Sequence, residues 1–300
     1  MSALERELKS RFGARLEAHR SLADLTSFQI GGPADLFVTV ESDAELMTAM
    51  AAAHRHDTTA MCLGAGTNLL VSDRGVRGLV VKLGESFGRI MIEGINVTVG
   101  AAMQFGAMVE TVVDRGLAGL EFGEGIPGTV GGGLVMNAGA FGGEMARVVT
   151  LVHGVTIDGL ARALTKDEVN FTYRRTDLPP RFVITRVDFM LSRGDREELR
   201  ARVMDLRSKR AARQPRGLPN AGSVFKNPPG NFAGRLLESV GLKGARMGGA
   251  AFSGQHANFI VNLGGARADE VRALIELARS RVMESTGVKL EPEVRLIGEW

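Results

Sequence analysis

Apolar residues recur along this chain at two spacings, and each spacing predicts one type of element. Leu4, Leu8, Phe12 and Leu16 are four residues apart, which predicts an amphipathic N-terminal helix within residues 1–20. Spacing of three to four residues and helix-capping signals predict further helices near 42–53, 103–116, 165–168, 195–215, 235–240 and 269–284. Alternation and apolar runs predict strands within 26–40, 61–73, 78–83, 89–100, 148–159, 182–191, 256–264 and 288–298. We expect two strands around a Gly-Gly-Pro turn in 26–40, and a hairpin that turns at Gly94 in 89–100. This mixture of elements predicts an α+β fold class.

A glycine-rich stretch, GEGIPGTVGGGLVMNAGAFGGE (123–144), interrupts both patterns. Glycine has no Cβ, so its backbone can lie within hydrogen-bonding distance of a ligand. A flexible linker is the alternative interpretation. Linkers of that kind are rich in Ser, however, and lack buried-type residues such as Ile126, Val130 and Leu134. We therefore predict a buried loop that faces a ligand.

Residues 123–128 also match G-x-G-x-x-G, the dinucleotide-binding fingerprint of the Rossmann fold. That fingerprint must open a helix directly after the turn. Pro127 and the glycines at 131 to 133 predict that no regular helix forms there, so we reject the Rossmann interpretation. A second small-residue turn, GAGTNLL (64–70), directly follows an apolar strand and is another candidate ligand loop.

Composition indicates an ordinary globular protein, because 44% of the 300 residues are hydrophobic and 24% are charged. The single cysteine, Cys62, excludes an internal disulfide, and the scattered histidines indicate no metal cluster. The N-terminus lacks a signal-peptide pattern and no apolar run is long enough to cross a bilayer. We expect a cytoplasmic protein.

The net charge of +3 is unevenly spread, with Lys and Arg concentrated between Arg200 and Arg216. A basic helix of this kind can serve nucleic acid, a phosphorylated small ligand, or only a solvated face, and the last is the usual case. Its apolar residues Leu199, Val203 and Leu206 are predicted to form a buried stripe.

Seven segments match one known family in order along the chain: TSFQIGGPAD, LGAGTNLLVSD, GIPGTVGGGLVMNAGAFGGE, FTYRRT, AGSVFKNP, HANFIVN and EPEVRLIG. The chain resembles the UDP-N-acetylenolpyruvoylglucosamine reductases, flavoenzymes of peptidoglycan precursor synthesis, and is similar to their shorter subtype without the extra tyrosine loop. Departures are small. Ala65 and Thr67 stand where the family often has Gly and Ser, and Asn258 stands where Gly is common; we expect Asn258 to tolerate a left-handed backbone.

The resemblance implies an FAD-binding fold of the vanillyl-alcohol-oxidase (PCMH) type, with two α/β lobes around the flavin and a C-terminal α+β lobe for the substrate. We expect lobe I at 1–84, lobe II at 85–203 and the substrate-binding domain at 204–300. Whether the last strand, about 290–300, returns to lobe I stays open.

The reaction that the resemblance implies is reduction of FAD by NADPH, then hydride delivery to an enolpyruvyl ether on a UDP-sugar. Hydride addition to the β carbon of the alkene pushes charge onto the α carbon and the carboxylate, so that charge needs stabilising and the α carbon needs a proton. Carried over from the matching motifs, Arg174 and Glu293 flank the carboxylate and Ser223 donates the proton. Each residue also has a purely structural interpretation. Arg174 could be an arginine of a surface turn, Glu293 an ordinary carboxylate at a strand edge, and Ser223 a hydroxyl in a turn.

The resemblance assigns the remaining candidates to two ligands. Consecutive backbone amides in a tight turn form an anion-binding nest, which suits the flavin pyrophosphate. The residues expected to bind non-covalent FAD are Gly64, Ala65, Gly66, Thr67, Asn68, Leu69, Gly125, Ile126, Pro127, Gly128, Thr129, Gly131 and Gly132. Those expected to bind the UDP-sugar are Tyr173, Gln214, Lys226 and Asn227.

Two other functions stay open. One is an FAD oxidase or dehydrogenase of the same fold acting on another alcohol or sugar, although such relatives often hold flavin through His or Cys and neither loop contains one. The other is a nucleic-acid-binding module, although one Trp and one Tyr offer few surfaces for stacking bases. We expect a monomer that binds a UDP-sugar and neither nucleic acid nor a membrane.

Overall fold

The computed structural model describes all residues from 1 to 300. Its helices are α1 (Ala3–Phe12), α2 (Asp43–Arg55), α3 (Phe105–Asp114), α4 (Val130–Val135), α5 (Lys166–Val169), α6 (Arg196–Arg213), α7 (Ala233–Ser239) and α8 (Ala268–Thr286). No helix is long and apolar enough to cross a membrane.

The strands are short, and most pair antiparallel. In the first half of the chain they are β1 (Leu16–Ser21), β2 (Pro33–Val40), β3 (Ala60–Cys62), β4 (Leu69–Val71), β5 (Val76–Leu83), β6 (Ile90–Glu93), β7 (Asn96–Gly100), β8 (Leu117–Ala118), β9 (Gly139–Ala140) and β10 (Gly143–Glu144). The rest are β11 (Val149–Val155), β12 (Ala161–Thr165), β13 (Phe171–Thr172), β14 (Arg175–Thr176), β15 (Val183–Met190), β16 (Ser192–Arg193), β17 (Asn220–Ser223), β18 (Arg246–Met247), β19 (Ala250–Phe252), β20 (Phe259–Asn262) and β21 (Arg295–Ile297).

The chain forms two compact units that alternate along the sequence. The first unit contains residues 1–18, 35–65 and 78–209, and the second contains 19–34, 66–77 and 210–300. Both units combine helices and sheets, which confirms the predicted α+β class.

The first unit has two hydrophobic cores. One packs α1 and α2 against a sheet of order β1-β2-β5-β3 and buries Leu8, Val38 and Met50. The other packs α3 and α4 against an antiparallel sheet of order β12-β11-β15-β7-β6, around Phe105 and Val187. The predicted hairpin of residues 89–100 is confirmed as β6 and β7, with Gly94 in the turn at φ +68°.

The second unit packs α7 and α8 on an antiparallel sheet of order β17-β20-β19-β18. Its core includes Phe225, Phe252 and Leu274. Here the last strand is shorter than the sequence indicates: only β21 forms, and it pairs parallel with β4. Residues 26–30 also form no strand, although the sequence predicts one before the Gly-Gly-Pro turn.

Candidate functional site

The first small-residue loop begins where β3 ends. The backbone N–H groups of Gly64, Ala65, Gly66 and Asn68 donate to no other group of the protein. Gly66 has φ +62°, and a Cβ on it would lie 2.3 Å from the carbonyl oxygen of Leu25. Only glycine therefore fits this position, and the loop presents unused donors suited to an anion.

The second loop, residues 125–132, approaches the first within the first unit. A Cβ on Gly64 would lie 3.0 Å from Oγ1 of Thr129. Gly125 and Gly128 have φ values of +69° and +113°, and their N–H groups, with that of Thr129, donate to no protein acceptor. The structure thus brings Gly64 next to the glycine-rich stretch and leaves free amides on both.

The expectation that glycines 131 to 133 prevent a helix is wrong. α4 spans Val130–Val135, and the Thr129 side chain caps it by accepting the N–H of Gly132 at 3.3 Å. A Cβ on Gly133 would lie 2.7 Å from the ring of Phe105, so close packing explains that glycine. The helix follows a loop and not a strand, which still differs from the Rossmann pattern.

Tyr173 and Arg174 form the turn between β13 and β14. Arg174 has φ +57°, and its guanidinium donates to the carbonyl oxygen of Gly139 at 2.8 Å and lies 5.2 Å from the centre of the Tyr173 ring. Tyr173 is 52% exposed. The turn is therefore fixed on the glycine-rich stretch, with its aromatic ring open to solvent.

Asn137 supports this turn, a role that sequence analysis missed. The residue is 1% exposed and has φ +40°. Its Nδ2 donates to the carbonyl oxygen of Thr172 at 3.0 Å and to Glu144 at 3.1 Å, and its Oδ1 accepts the N–H of Ala146 at 3.0 Å. The available signal was that Asn137 is one of only three strongly polar residues in the glycine-rich stretch, with Glu124 and Glu144.

In the second unit the structure brings Ser223 and Glu293 onto neighbouring backbone segments. Val224, directly after Ser223, accepts the N–H of Glu293 through its carbonyl oxygen at 2.7 Å. Asn68 of the first small-residue loop donates from Nδ2 to the carbonyl oxygen of Glu293 at 3.1 Å. The half-buried Ser223 hydroxyl makes no hydrogen bond within the protein, so it is available to a ligand.

The remaining substrate candidates are partly engaged. The Lys226 ammonium pairs with Glu291, and its side chain is only 17% exposed. Asn227 Oδ1 accepts the N–H of Ala233, the first residue of α7, at 3.0 Å, which leaves the amide donors of Asn227 for a ligand. Gln214 directly follows α6 and is half-buried.

The basic helix α6 has its predicted buried stripe of Leu199, Val203 and Leu206. Its cations pair with acids elsewhere in the first unit. Arg207 Nε donates to the buried Glu124 carboxylate at 2.7 Å, and Arg200 donates to Asp114 at 2.7 Å. These pairs raise the pKa of Arg207 and lower the pKa of Asp114. Much of the positive charge is thus neutralised within the protein.

Comparison with known proteins places the chain in a family. A model described as FAD binding domain matches residues 34–165, and one described as UDP-N-acetylenolpyruvoylglucosamine reductase, C-terminal domain, matches residues 214–297. UDP-N-acetylenolpyruvoylglucosamine reductase 2 of Symbiobacterium thermophilum is 45% identical over 99% of this chain and 98% of its own. The reductase of Rubrobacter xylanophilus is 44% identical over 91% and 92%.

A solved structure agrees with these matches. The UDP-N-acetylenolpyruvylglucosamine reductase of Thermus caldophilus has a TM-score of 0.83 and 39% identity, covering 94% of this chain and 99% of its own. The protein is therefore an FAD-dependent oxidoreductase with the FAD-binding fold of the vanillyl-alcohol-oxidase type. The chain belongs to the UDP-N-acetylenolpyruvoylglucosamine reductase family.

The two loops fit FAD by their own chemistry. A pyrophosphate carries only acceptors, and the free N–H groups of Gly64, Ala65, Gly125, Gly128 and Thr129 are donors. Lys82, which donates from Nζ to the carbonyl oxygen of Gly64 at 3.3 Å, adds a positive charge beside the first loop. Sequence analysis missed Lys82, whose signal was a cation at the end of the apolar strand β5.

Proposed function

We propose that this chain catalyses the NADPH-dependent reduction of the enolpyruvyl group of UDP-N-acetylenolpyruvoylglucosamine to UDP-N-acetylmuramate in peptidoglycan precursor synthesis. The observation that carries the proposal is full-length similarity: curated reductases are 38–45% identical over 91% or more of this chain. The pairing of the Ser223 and Glu293 segments supports it from the geometry.

Bound FAD, reduced by NADPH, supplies the hydride for the β carbon of the enolpyruvyl ether. Ser223 donates the proton to the α carbon, and its hydroxyl is suited to this because no other protein group holds it. Lys226, three residues further on, offsets the negative charge left on the serine oxygen. Arg174 and Glu293 flank the substrate carboxylate, and the Arg174 guanidinium stabilises the negative charge that develops on it.

FAD is held without a covalent bond. Neither loop contains His or Cys. Residues Gly64–Leu69 and Gly125–Gly132 bind it, and the N–H groups available to the pyrophosphate are those of Gly64, Ala65, Gly66, Asn68, Gly125, Gly128 and Thr129. The N–H groups of Ile126, Gly131 and Gly132 already donate within the protein, so these residues offer only backbone surface to the flavin. These loops lie within the region that we assign to lobes I and II, residues 1–84 and 85–203.

The substrate-binding domain, residues 204–300, holds the UDP group through Gln214, Lys226 and Asn227, with Tyr173 contributing its exposed ring. Lys226 already pairs with Glu291, so a diphosphate has to compete with that carboxylate. We further propose a cytoplasmic monomer that does not use nucleic acid, because the cations of α6 are largely committed to ion pairs.

The test is NADPH consumption by the purified flavoprotein with and without the UDP-enolpyruvyl sugar, with product mass as a second measurement. We expect consumption to depend on the sugar and the product to gain two hydrogen atoms. Sugar-independent consumption, or flavin reduction by an alcohol or another sugar in place of NADPH, contradicts the proposal and favours an oxidase of the same fold.

A further inference from the structure

A buried amide side chain in the second unit holds the backbone that follows Ser223. Asn258 is 4% exposed and directly precedes β20. Its Nδ2 donates to the carbonyl oxygen of Phe225 at 2.8 Å, and its Oδ1 accepts the N–H of Phe225 at 3.0 Å. Its own carbonyl oxygen accepts the N–H of Val224 at 2.8 Å. Asn258 therefore makes three hydrogen bonds to two consecutive residues.

These bonds continue a strand pairing beyond its normal end. β17 pairs with β20 up to Ser223, which lies opposite Phe259. Beyond Ser223, the side-chain amide of Asn258 bonds the N–H and the carbonyl oxygen of Phe225 as the backbone of a neighbouring strand would. It can do so because a side-chain amide, like a peptide group, has both a donor and an acceptor. The sequence led us to expect that Asn258 replaces a glycine because Asn tolerates a left-handed backbone. That expectation is wrong, because Asn258 does not have a positive φ.

The opposite edge of the same segment is also bonded. Val224 accepts from Glu293 at 2.7 Å, and Lys226 donates from its backbone N–H to the carbonyl oxygen of Glu291 at 2.9 Å. Phe225 itself is 1% exposed and packs in the core of the second unit. The segment after Ser223 is thus held from both sides, and Asn258 supplies one whole side.

We propose that Asn258 is a positioning residue for proton donation by Ser223. This inference rests on the proposed function. A serine hydroxyl is a weak acid, so donation depends strongly on where its oxygen lies relative to the α carbon, and a displacement of about 1 Å can cost on the order of 10²-fold in rate. Asn258 acts through the backbone of Phe225 and does not itself touch the reacting atoms.

The first test is N258A, measured in two separate half-reactions by rapid mixing. Removal of the amide leaves the N–H and carbonyl of buried Phe225 without partners, so the segment has to shift. We expect reduction of the flavin by NADPH to keep its rate within about twofold, and reoxidation by the UDP-enolpyruvyl sugar to slow by about 10- to 100-fold. Equal slowing of both half-reactions, or of neither, overturns the proposal.

The last residue of β20 supplies a matched control. Asn262 is 5% exposed, donates from Nδ2 to the carbonyl oxygen of Phe28 at 3.0 Å, and accepts two backbone N–H groups through Oδ1. N262A loses a comparable set of bonds without touching the segment after Ser223. We expect it to reduce stability while leaving the rate of reoxidation close to wild type. Slowing of reoxidation equal to that of N258A would make the effect one of general destabilisation.

N258D tests the hydrogen bonds of Asn258 through the pH dependence of reoxidation, which would not change if Asn258 only filled space. A protonated Asp donates to the Phe225 carbonyl as the amide does, whereas the ionised form repels it, and burial raises the pKa of such a carboxyl. Reoxidation by N258D should therefore approach the wild-type rate at low pH and fall behind it as pH rises. A constant ratio to wild type across the pH range contradicts the proposal, and this variant serves if N258A does not fold.

A double mutant identifies the route of the effect. If Asn258 acts through Ser223, the slowing caused by N258A should largely disappear in the S223A background. Hydrogen exchange should also rise at the Val224 and Phe225 amides in N258A and not in N262A. Undiminished slowing in the S223A background refutes the positioning role, whereas failure of the wild-type enzyme to be reoxidised by the sugar refutes the proposed function instead.

Discussion

Replacement of Gly128 by Val tests the placement of FAD against the second loop. Gly128 has φ +113°, a backbone conformation that residues with a side chain rarely adopt. Holding a non-glycine residue there costs about 1–3 kcal/mol. If the loop relaxes in the apoprotein, that cost is incurred on binding, and FAD affinity should fall by about 5- to 150-fold.

The assay is titration of apoprotein with FAD, followed by flavin fluorescence, together with the flavin content of the protein as purified. G128A separates the backbone cost from the bulk of the valine, which adds a steric clash with the ligand. The matched control is G94V. Gly94 also has a positive φ, +68°, and a Cβ on it would meet no atom within 4 Å. We expect G94V to bind FAD as the wild type does; G128V with wild-type affinity would refute the placement of the loop.

Two further predictions concern carboxylates. Glu293→Gln should retain more activity than Glu293→Ala, because the amide still hydrogen-bonds the substrate carboxylate flanked by Arg174; equal steady-state rates for both variants and wild type would remove Glu293 from the mechanism. Arg15 bonds Glu45 through its two terminal nitrogens, and this pair, together with the backbone N–H of Glu41, lowers the pKa of Glu45 from 4.5 to about 2. This stabilisation is present above about pH 4.5 and is lost as pH falls towards 2. R15Q should therefore melt at a lower temperature than wild type above about pH 4.5, and this difference should shrink as pH falls towards 2. K209Q, which removes an exposed ion pair with Asp205, is the control. A difference for R15Q that does not depend on pH, or an equal difference for K209Q, would contradict this prediction.

Local signals predicted those elements whose pattern and packing agree. The stripe of Leu199, Val203 and Leu206 and the Gly94 turn are determined by nearby residues, and both are confirmed. The capping box at Thr165 also forms, closing one turn of α5. In each case the signal lies within a few residues of the structure that it specifies.

Elements decided by distant contacts could not be predicted in this way. α4 forms in spite of three consecutive glycines, and Phe105 and Met145 pack where a Cβ on Gly133 would be, which explains the glycine at that position. The side-chain amide of Asn258 bonds the backbone of Phe225, which lies 33 residues earlier in the sequence. The motifs identified the candidate site residues through a family resemblance, but the hydrogen bonds that hold them depend on tertiary structure that periodicity does not encode.

The central claim is tested most directly by reoxidation of the NADPH-reduced enzyme with the UDP-enolpyruvyl sugar in a single turnover, comparing wild type, S223A and S223C. Loss of a general acid typically costs about 10²–10⁴-fold. We predict that S223A keeps its flavin content and its rate of reduction by NADPH, and is reoxidised slower by that factor. S223C should recover part of the rate, because a thiol also donates a proton. Reoxidation of S223A at the wild-type rate would contradict the account.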